Sequence, residues 1–337
     1  MNRIQSLREK AGENIKKIVL PEGEDVRVVE AAARINQGRI AHVLLLGKQA
    51  EIEENAKKAS VTLDGVEIID PEKYGRVNEI ISTYYELRKH KGISEDDAGK
   101  QVLENLVYYG AIMTRLDIAD GYVAGACHTT TDVAKASIYC LKIDRNVGIV
   151  SSSFLMELQN CPFGEDGLFI FGDCGIIPDP SPMQLAGIAI SCGGIMQSLF
   201  EIEARVALLS FSTKGSAYGK SIEKVVKALE IVKRKAPDLS VDGELQADAA
   251  VVPEVASIKC PGSKVAGKAN VLVFPNLDAG NICYKITQRL GRARVVGPIL
   301  QGLTKPASDL SRGCGVQEIV DAVTVTAVRA QNRAKKK

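Results

Sequence analysis

Apolar and polar positions change period repeatedly along the chain, in the way expected of strands followed by helices. Residues 17–20 (Lys-Ile-Val-Leu) read as a strand stopped by Pro21, and 25–37 carry apolar residues at helical spacing. Residues 42–46 form a second apolar run, ended by Gly47. A glutamate-rich helix, a short strand at 66–69 and a long helical stretch at 74–90 follow. Further apolar runs at 121–126, 148–150, 168–171, 205–211, 249–252 and 270–274 read as strands. Strands alternating with helices of about 10–15 residues predict an α/β protein with mostly parallel sheets.

A chain of 337 residues suggests about two domains. One strand–helix series covers 1–147 and a second covers 148–301. From 302 onwards there is a turn-rich loop and one amphipathic helix, with Val316, Ile319, Val320, Val323 and Ala327 on one face. That helix must dock on one of the two domains. Residues 334–337 (Ala-Lys-Lys-Lys) read as a solvated tail. No apolar run of about 20 residues is evident, so no membrane span is expected, and the first residues lack the pattern of a signal peptide. Lys and Arg number 43 against 41 Asp and Glu, a net charge of +2, and there is no Trp. Neither the charge nor the aromatic content suits a nucleic-acid or anionic-membrane partner. Eight cysteines without a C-x-x-C pair and three scattered histidines give no zinc-ligand spacing, and fit reduced thiols of a cytoplasmic protein.

Two segments carry chemistry. Gly215-Ser-Ala-Tyr-Gly-Lys220-Ser221 sits between a strand and a helix, as a P-loop does, but it is one residue short and has Lys214 where glycine is required. It reads as a polar loop whose N–H groups could still serve an anion. The denser signal is Gly297-Pro-Ile-Leu-Gln-Gly302-Leu-Thr-Lys305-Pro-Ala-Ser-Asp309-Leu-Ser311-Arg312-Gly-Cys314. Residues 288–337 hold ten Lys/Arg against three acids, a local excess that suits a small anionic ligand.

This last motif resembles that of the phosphate acetyltransferase (phosphotransacetylase) family. The resemblance extends along nearly the whole chain: Leu20-Pro-Glu-Gly-Glu-Asp-Val-Arg27, the arginine-bearing helix 84–92, Gly125-Ala-Cys-His128-Thr-Thr130, and the segments 209–217, 242–250 and 279–289. It implies two α/β domains, 1–147 with 302–337 and 148–301, flanking an interdomain cleft. The implied architecture is like that of the isocitrate and isopropylmalate dehydrogenases. It also implies a homodimer joined through the second domain, and reversible acetyl transfer between coenzyme A and inorganic phosphate. Coenzyme A is then a substrate, and no tightly bound cofactor is implied. A preference for propionyl or butyryl groups, or a weakened homologue that only binds acyl-CoA, are the alternatives. A metal- and NAD-dependent dehydrogenase is suggested by architecture alone.

The reaction needs a thiolate at an acyl carbonyl, and positive or N–H partners for the oxyanion and the departing phosphate. The resemblance assigns Ser311 and Arg312 to the transition state and Glu318, where the family has Asp, to the base. As a free carboxylate, Glu318 would lie about 4 pKa units below a thiol, an uphill transfer of about 5–6 kcal/mol. Its environment or a nearby arginine must narrow that gap. The same residue also reads as an acid in the first turn of a helix. For substrate binding the resemblance adds Arg88, Thr130, Lys135 (Arg in the family), Tyr284, Arg289, Lys305 and Ser308 (commonly Asn in the family). Lysine at 135 keeps the charge but loses the bidentate fork. Cys314 is left out of the catalytic set.

Overall fold

The computed structural model describes residues 3–145 and 147–334. They divide into two compact units, one comprising residues 3–143 with 303–334 and the other the described residues of 144–302. The lysine tail at 335–337 lies outside the described residues.

The first unit runs α1 (Arg3–Glu13), β1 (Lys17–Leu20), α2 (Val26–Gln37), β2 (His42–Leu46), α3 (Gln49–Ala59), β3 (Glu67–Ile69), α4 (Val77–Arg88), α5 (Glu95–Glu104), α6 (Leu106–Arg115), β4 (Gly121–Ala124) and α7 (Thr130–Cys140). Asp25 caps α2 by accepting the Arg27 N–H, and a Thr129–Asp132 capping box starts α7.

The second unit holds β5 (Ser151–Glu157), β6 (Leu168–Gly172), α8 (Pro182–Phe200), β7 (Arg205–Leu209), α9 (Lys220–Lys235), β8 (Ser240–Leu245), α10 (Ala247–Val251), α11 (Pro253–Lys259), β9 (Val271–Val273), α12 (Leu277–Arg289) and β10 (Arg294–Gln301). Its strand order is β10-β5-β6-β9-β7-β8. The β10–β5 and β5–β6 pairs are antiparallel and the remaining pairs parallel. Phe154, Phe169, Phe171 and Phe274 share its core.

The chain then returns to the first unit as β11 (Ala307–Asp309) and α13 (Val316–Ala334). The order there is β3-β2-β1-β4-β11, parallel throughout. Helix α13 packs on α1, α2 and β4, and is buried on more than its predicted face, with Thr324 and Thr326 also inside. Burial of a Val or Ile side chain stabilises by about 1.5–3 kcal/mol, so Ile319, Val320, Val323, Val325 and Val328 anchor the helix firmly.

Four sequence readings need correction. Residues 249–252 end a short helix rather than form a strand, since a four-residue apolar run fits either. The polar segment Ser240–Leu245 is a strand, as is Ala307–Asp309 inside the supposed loop. Residues 148–150 precede the true strand, whose three serines disguise it. Among the described residues one helix, α8, is long and apolar enough to cross a membrane by composition, and it packs against α9 and β6.

Candidate active site

In the first unit the strand order turns at β1: β2 lies on one side and β4 on the other. Ligands of open parallel sheets bind beyond the strand C-termini at such a switch point. The loops leaving β1, β4 and β11 emerge at that edge, because β4 pairs in parallel with both of the others.

Glu22, in the turn after β1, is 1% exposed. Its carboxylate accepts the N–H groups of Gly125, Ala126, Cys127 and His128 at 2.9, 2.9, 2.9 and 3.1 Å, and lies 2.8 Å from His128 Nδ1. Burial pushes this carboxyl up, yet His128 and the N–H groups outweigh it and hold Glu22 below the usual range. Its carboxylate in turn raises His128.

Arg27, in the first turn of α2, uses all five donors. Nη1 donates to the carbonyls of Arg312 (2.9 Å) and Cys314 (2.8 Å), and Nη2 to Ala126 O (3.0 Å) and Asp25 (2.6 Å). Nε donates to Asp25 Oδ1 at 3.0 Å. Asp25 holds the guanidinium charged, and Arg27 ties the β4–α7 loop to the loop after β11.

On that last loop Ser311 and Arg312 are exposed. Ser311 Oγ accepts the Gly313 N–H at 3.3 Å, and the Cys314 N–H closes the turn onto Ser311 O. The Arg312 guanidinium has no ion-pair partner among the described residues, whereas Arg27, Arg205 and Lys214 are all paired. Glu318 is half-buried, and its Oε2 accepts the Gly315 N–H at 2.7 Å. Glu318 is thus an acid in the first turn of α13, as the sequence suggested, and it holds the N–H that starts the helix. Burial pushes the Cys314 thiol up to about 11 and the Cys127 thiol to about 12, so neither is poised as a nucleophile.

Thr130 opens α7, and Lys135 is exposed one turn before Tyr139. Arg88, at the end of α4, lies 3.9 Å over the Tyr139 ring, a cation–π contact that holds it against α7. A cavity of about 240 Å³ beside His128 is lined by Glu24, Lys48, Glu51, Asp70 and Glu104. That acidic lining does not suit a phosphate.

The family model described as phosphate acetyl/butaryl transferase matches residues 3–327. The chain belongs to this family. A phosphate acetyltransferase of Thermoanaerobacterium thermosaccharolyticum is 47% identical over 331 residues, 98% of this chain and 100% of that protein. A crystal structure of a phosphotransacetylase from Streptococcus pyogenes is 41% identical, covers 98% of both chains and superposes with a TM-score of 0.90. A 4-hydroxythreonine-4-phosphate dehydrogenase from Klebsiella pneumoniae is 11% identical, with a TM-score of 0.51 over 94% of this chain and 99% of that one. This is a likeness of fold alone, and it agrees with the dehydrogenase-like architecture expected from the sequence.

Two expected substrate contacts sit elsewhere. Lys305 is 8% exposed, precedes β11 and pairs with Asp117, at the opposite end of the strand from Ser311. Ser308 is fully buried, and its Oγ lies 2.8 Å from Thr326 Oγ1 of α13. Strand alternation turns it onto that helix. In the second unit, Tyr284 stacks on Phe154 with ring centroids 4.3 Å apart, and Arg289 is exposed in the last turn of α12.

The P-loop-like segment is also accounted for. Glu244 takes the Gly215 N–H at 2.7 Å and the Ser212 hydroxyl at 3.0 Å, while Lys214 pairs with Asp242. The N–H groups of Gly215, Ser216 and Ala217, the first three of the segment, are thus spent within the unit, on Glu244, Thr213 O and Ser212 Oγ.

The sequence reading assigned no role to Glu22, Asp25 or Arg27. The available signal was an acidic, arginine-bearing turn directly after a buried strand; what it holds lies about a hundred to nearly three hundred residues away.

Proposed function

We propose that the protein catalyses reversible acetyl transfer between coenzyme A and inorganic phosphate. The carrying observation is Arg312, exposed and without an ion-pair partner among the described residues, beside Ser311 on a loop that Arg27 ties down next to the Glu318 cap. In this reading the thiol of coenzyme A gives its proton to Glu318, and the thiolate attacks the carbonyl carbon of acetyl phosphate. A C–S bond forms, the C–O bond to phosphorus breaks, and the proton passes to the departing phosphate. Arg312 stabilises the charge that develops on the transferring group, and it also lowers the cost of forming the thiolate. Ser311 donates a hydrogen bond to the same group.

Arg88, Thr130 and Lys135 are assigned to anionic parts of coenzyme A or phosphate. The same reading gives Arg289 an anionic contact and Tyr284 an apolar wall. Coenzyme A is a substrate here, and the chemistry calls on no resident cofactor. All eight cysteines are free, which supports a reducing, cytoplasmic setting. Ile282, Ile286 and Leu290 form an exposed stripe along α12, 58%, 52% and 81% accessible at four-residue spacing. That stripe supports a homodimer joined through the second unit.

The test is thioester absorbance on mixing coenzyme A with acetyl, propionyl or butyryl phosphate. Turnover with acetyl phosphate at the highest kcat/KM is expected. No turnover with any of the three overturns the reading.

A further inference from the structure

We propose that Asp309 is a positioning residue of the Ser311–Arg312 loop: its buried carboxyl, sealed against Gly125 and the start of α7, helps fix where that loop leaves β11 and sets the charge beneath it. The proposal rests on the acyl-transfer reading above.

Asp309 is fully buried, and among the described residues neither carboxyl oxygen has a hydrogen-bond partner. Its backbone pairs with Ala124 of β4, directly before Gly125. Gly125 has φ +116°, and a Cβ there would overlap the Asp309 carboxyl and lie 2.6 Å from the carbonyl oxygen of Leu310. The carboxyl is thus one of the contacts through which the β4–α7 loop and the Ser311–Arg312 loop meet, beside the Leu310 backbone and the Arg27 staple. No other function described for this site uses it.

Every element packed on this group contributes something. The turn after β1 presents the charge of Glu22, and α7 the Thr130 hydroxyl. The Leu310 N–H comes from its own strand end, but neither it nor Thr130 reaches hydrogen-bonding geometry. From β4 comes the Tyr122 phenol, which is itself bonded to Ser137. Helix α13 meets the strand through Thr326, bonded to Ser308. Burial pushes the carboxyl up to about 7, and Glu22 adds to the rise. Below that pH the group is a neutral acid, and Arg312 faces a phosphate unopposed. Above it, an unpaired negative charge sits two residues before Ser311, under the loop that takes the anion.

The experiment is steady-state kinetics of acetyl phosphate and coenzyme A from pH 6 to 8.5, on the full-length chain and on Asp309→Asn. The wild-type KM for acetyl phosphate should rise at least about threefold across this range, the effect of one like charge at partly screened distance. In Asp309→Asn that rise should vanish, with the change falling on KM more than on kcat. Asp309→Ser, smaller and also neutral, should behave in the same way. A variant whose KM climbs with pH as the wild type's does overturns the proposal. So does a chain that folds with neither substitution, because the charged form would then be the one the fold requires. Absence of turnover in the wild type overturns the acyl-transfer reading instead, and takes this proposal with it.

Discussion

Replacing Arg27 with alanine removes a single side chain that links three segments. It deletes two bonds to the carbonyls of Arg312 and Cys314 and one to that of Ala126, and it leaves Asp25 without its partner. Hydrogen bonds to charged groups contribute about 1.5–3 kcal/mol each. Water can replace part of the bond to Arg312 O, which lies at the surface. A loss near the lower end, about 3–4 kcal/mol in loop order, follows for the three carbonyl bonds together. The group that bears the consequence is Arg312, and a displacement of about 1 Å at a reacting site costs about 10²-fold in rate. Arg27→Ala should therefore lower kcat/KM about 10²-fold in the thioester assay, and Tm by about 5 °C. Arg27→Lys should be intermediate, about tenfold down, because one ammonium cannot span carbonyls on two loops. An alanine variant with kcat/KM within threefold of wild type would refute the reasoning, since the loop would then hold its place without the staple.

Glu318→Gln should lower kcat by about 10²–10⁴-fold while leaving the cap in place, because the amide oxygen can still accept the Gly315 N–H; stopped-flow single turnovers check this. Lys135→Ala should raise KM for coenzyme A about tenfold with little change in kcat, in initial-rate kinetics. His128 is raised by Glu22, so its contribution to stability is full below about pH 6.5 and fades as pH rises through its elevated folded value. The Tm gap between wild type and His128→Gln should then shrink from pH 6 to pH 9 in thermal melts. Ile286→Glu, in the middle of the exposed stripe on α12, should shift sedimentation from dimer to monomer.

The strands built from Ile, Val and Leu, such as Lys17–Leu20 and His42–Leu46, were legible because burial on both faces demands continuous apolar runs. Ser240–Leu245 and Ala307–Asp309 were not, because their polar side chains find partners far off in sequence. Asp242 meets Lys214 and Ser263, and Ser308 meets Thr326. The site shows the same division. Ser311, Arg312 and Glu318 could be read together because eight consecutive residues contain them. Lys305 and Ser308 entered the set through the family resemblance, which does not show that an extended strand sends neighbours to opposite faces and its two ends to opposite edges. Glu22 and Arg27 act on backbone groups, and no side-chain pattern records which backbone they hold.

The nests formed by Glu22, Glu244 and Asp173 bear on turnover as much as on fold. In each, backbone N–H groups that could have clasped a phosphate already hold a carboxylate of the chain: four at Glu22, one with a hydroxyl at Glu244, and three with a hydroxyl at Asp173. These cradles are occupied, and under the proposed function an incoming anion is left to exposed side chains such as Arg312 and Lys135. A reversible enzyme gains from that arrangement. Phosphate is reactant in one direction and product in the other, and a grip made of flexible cations can be released, whereas a full ring of fixed amides would trap it.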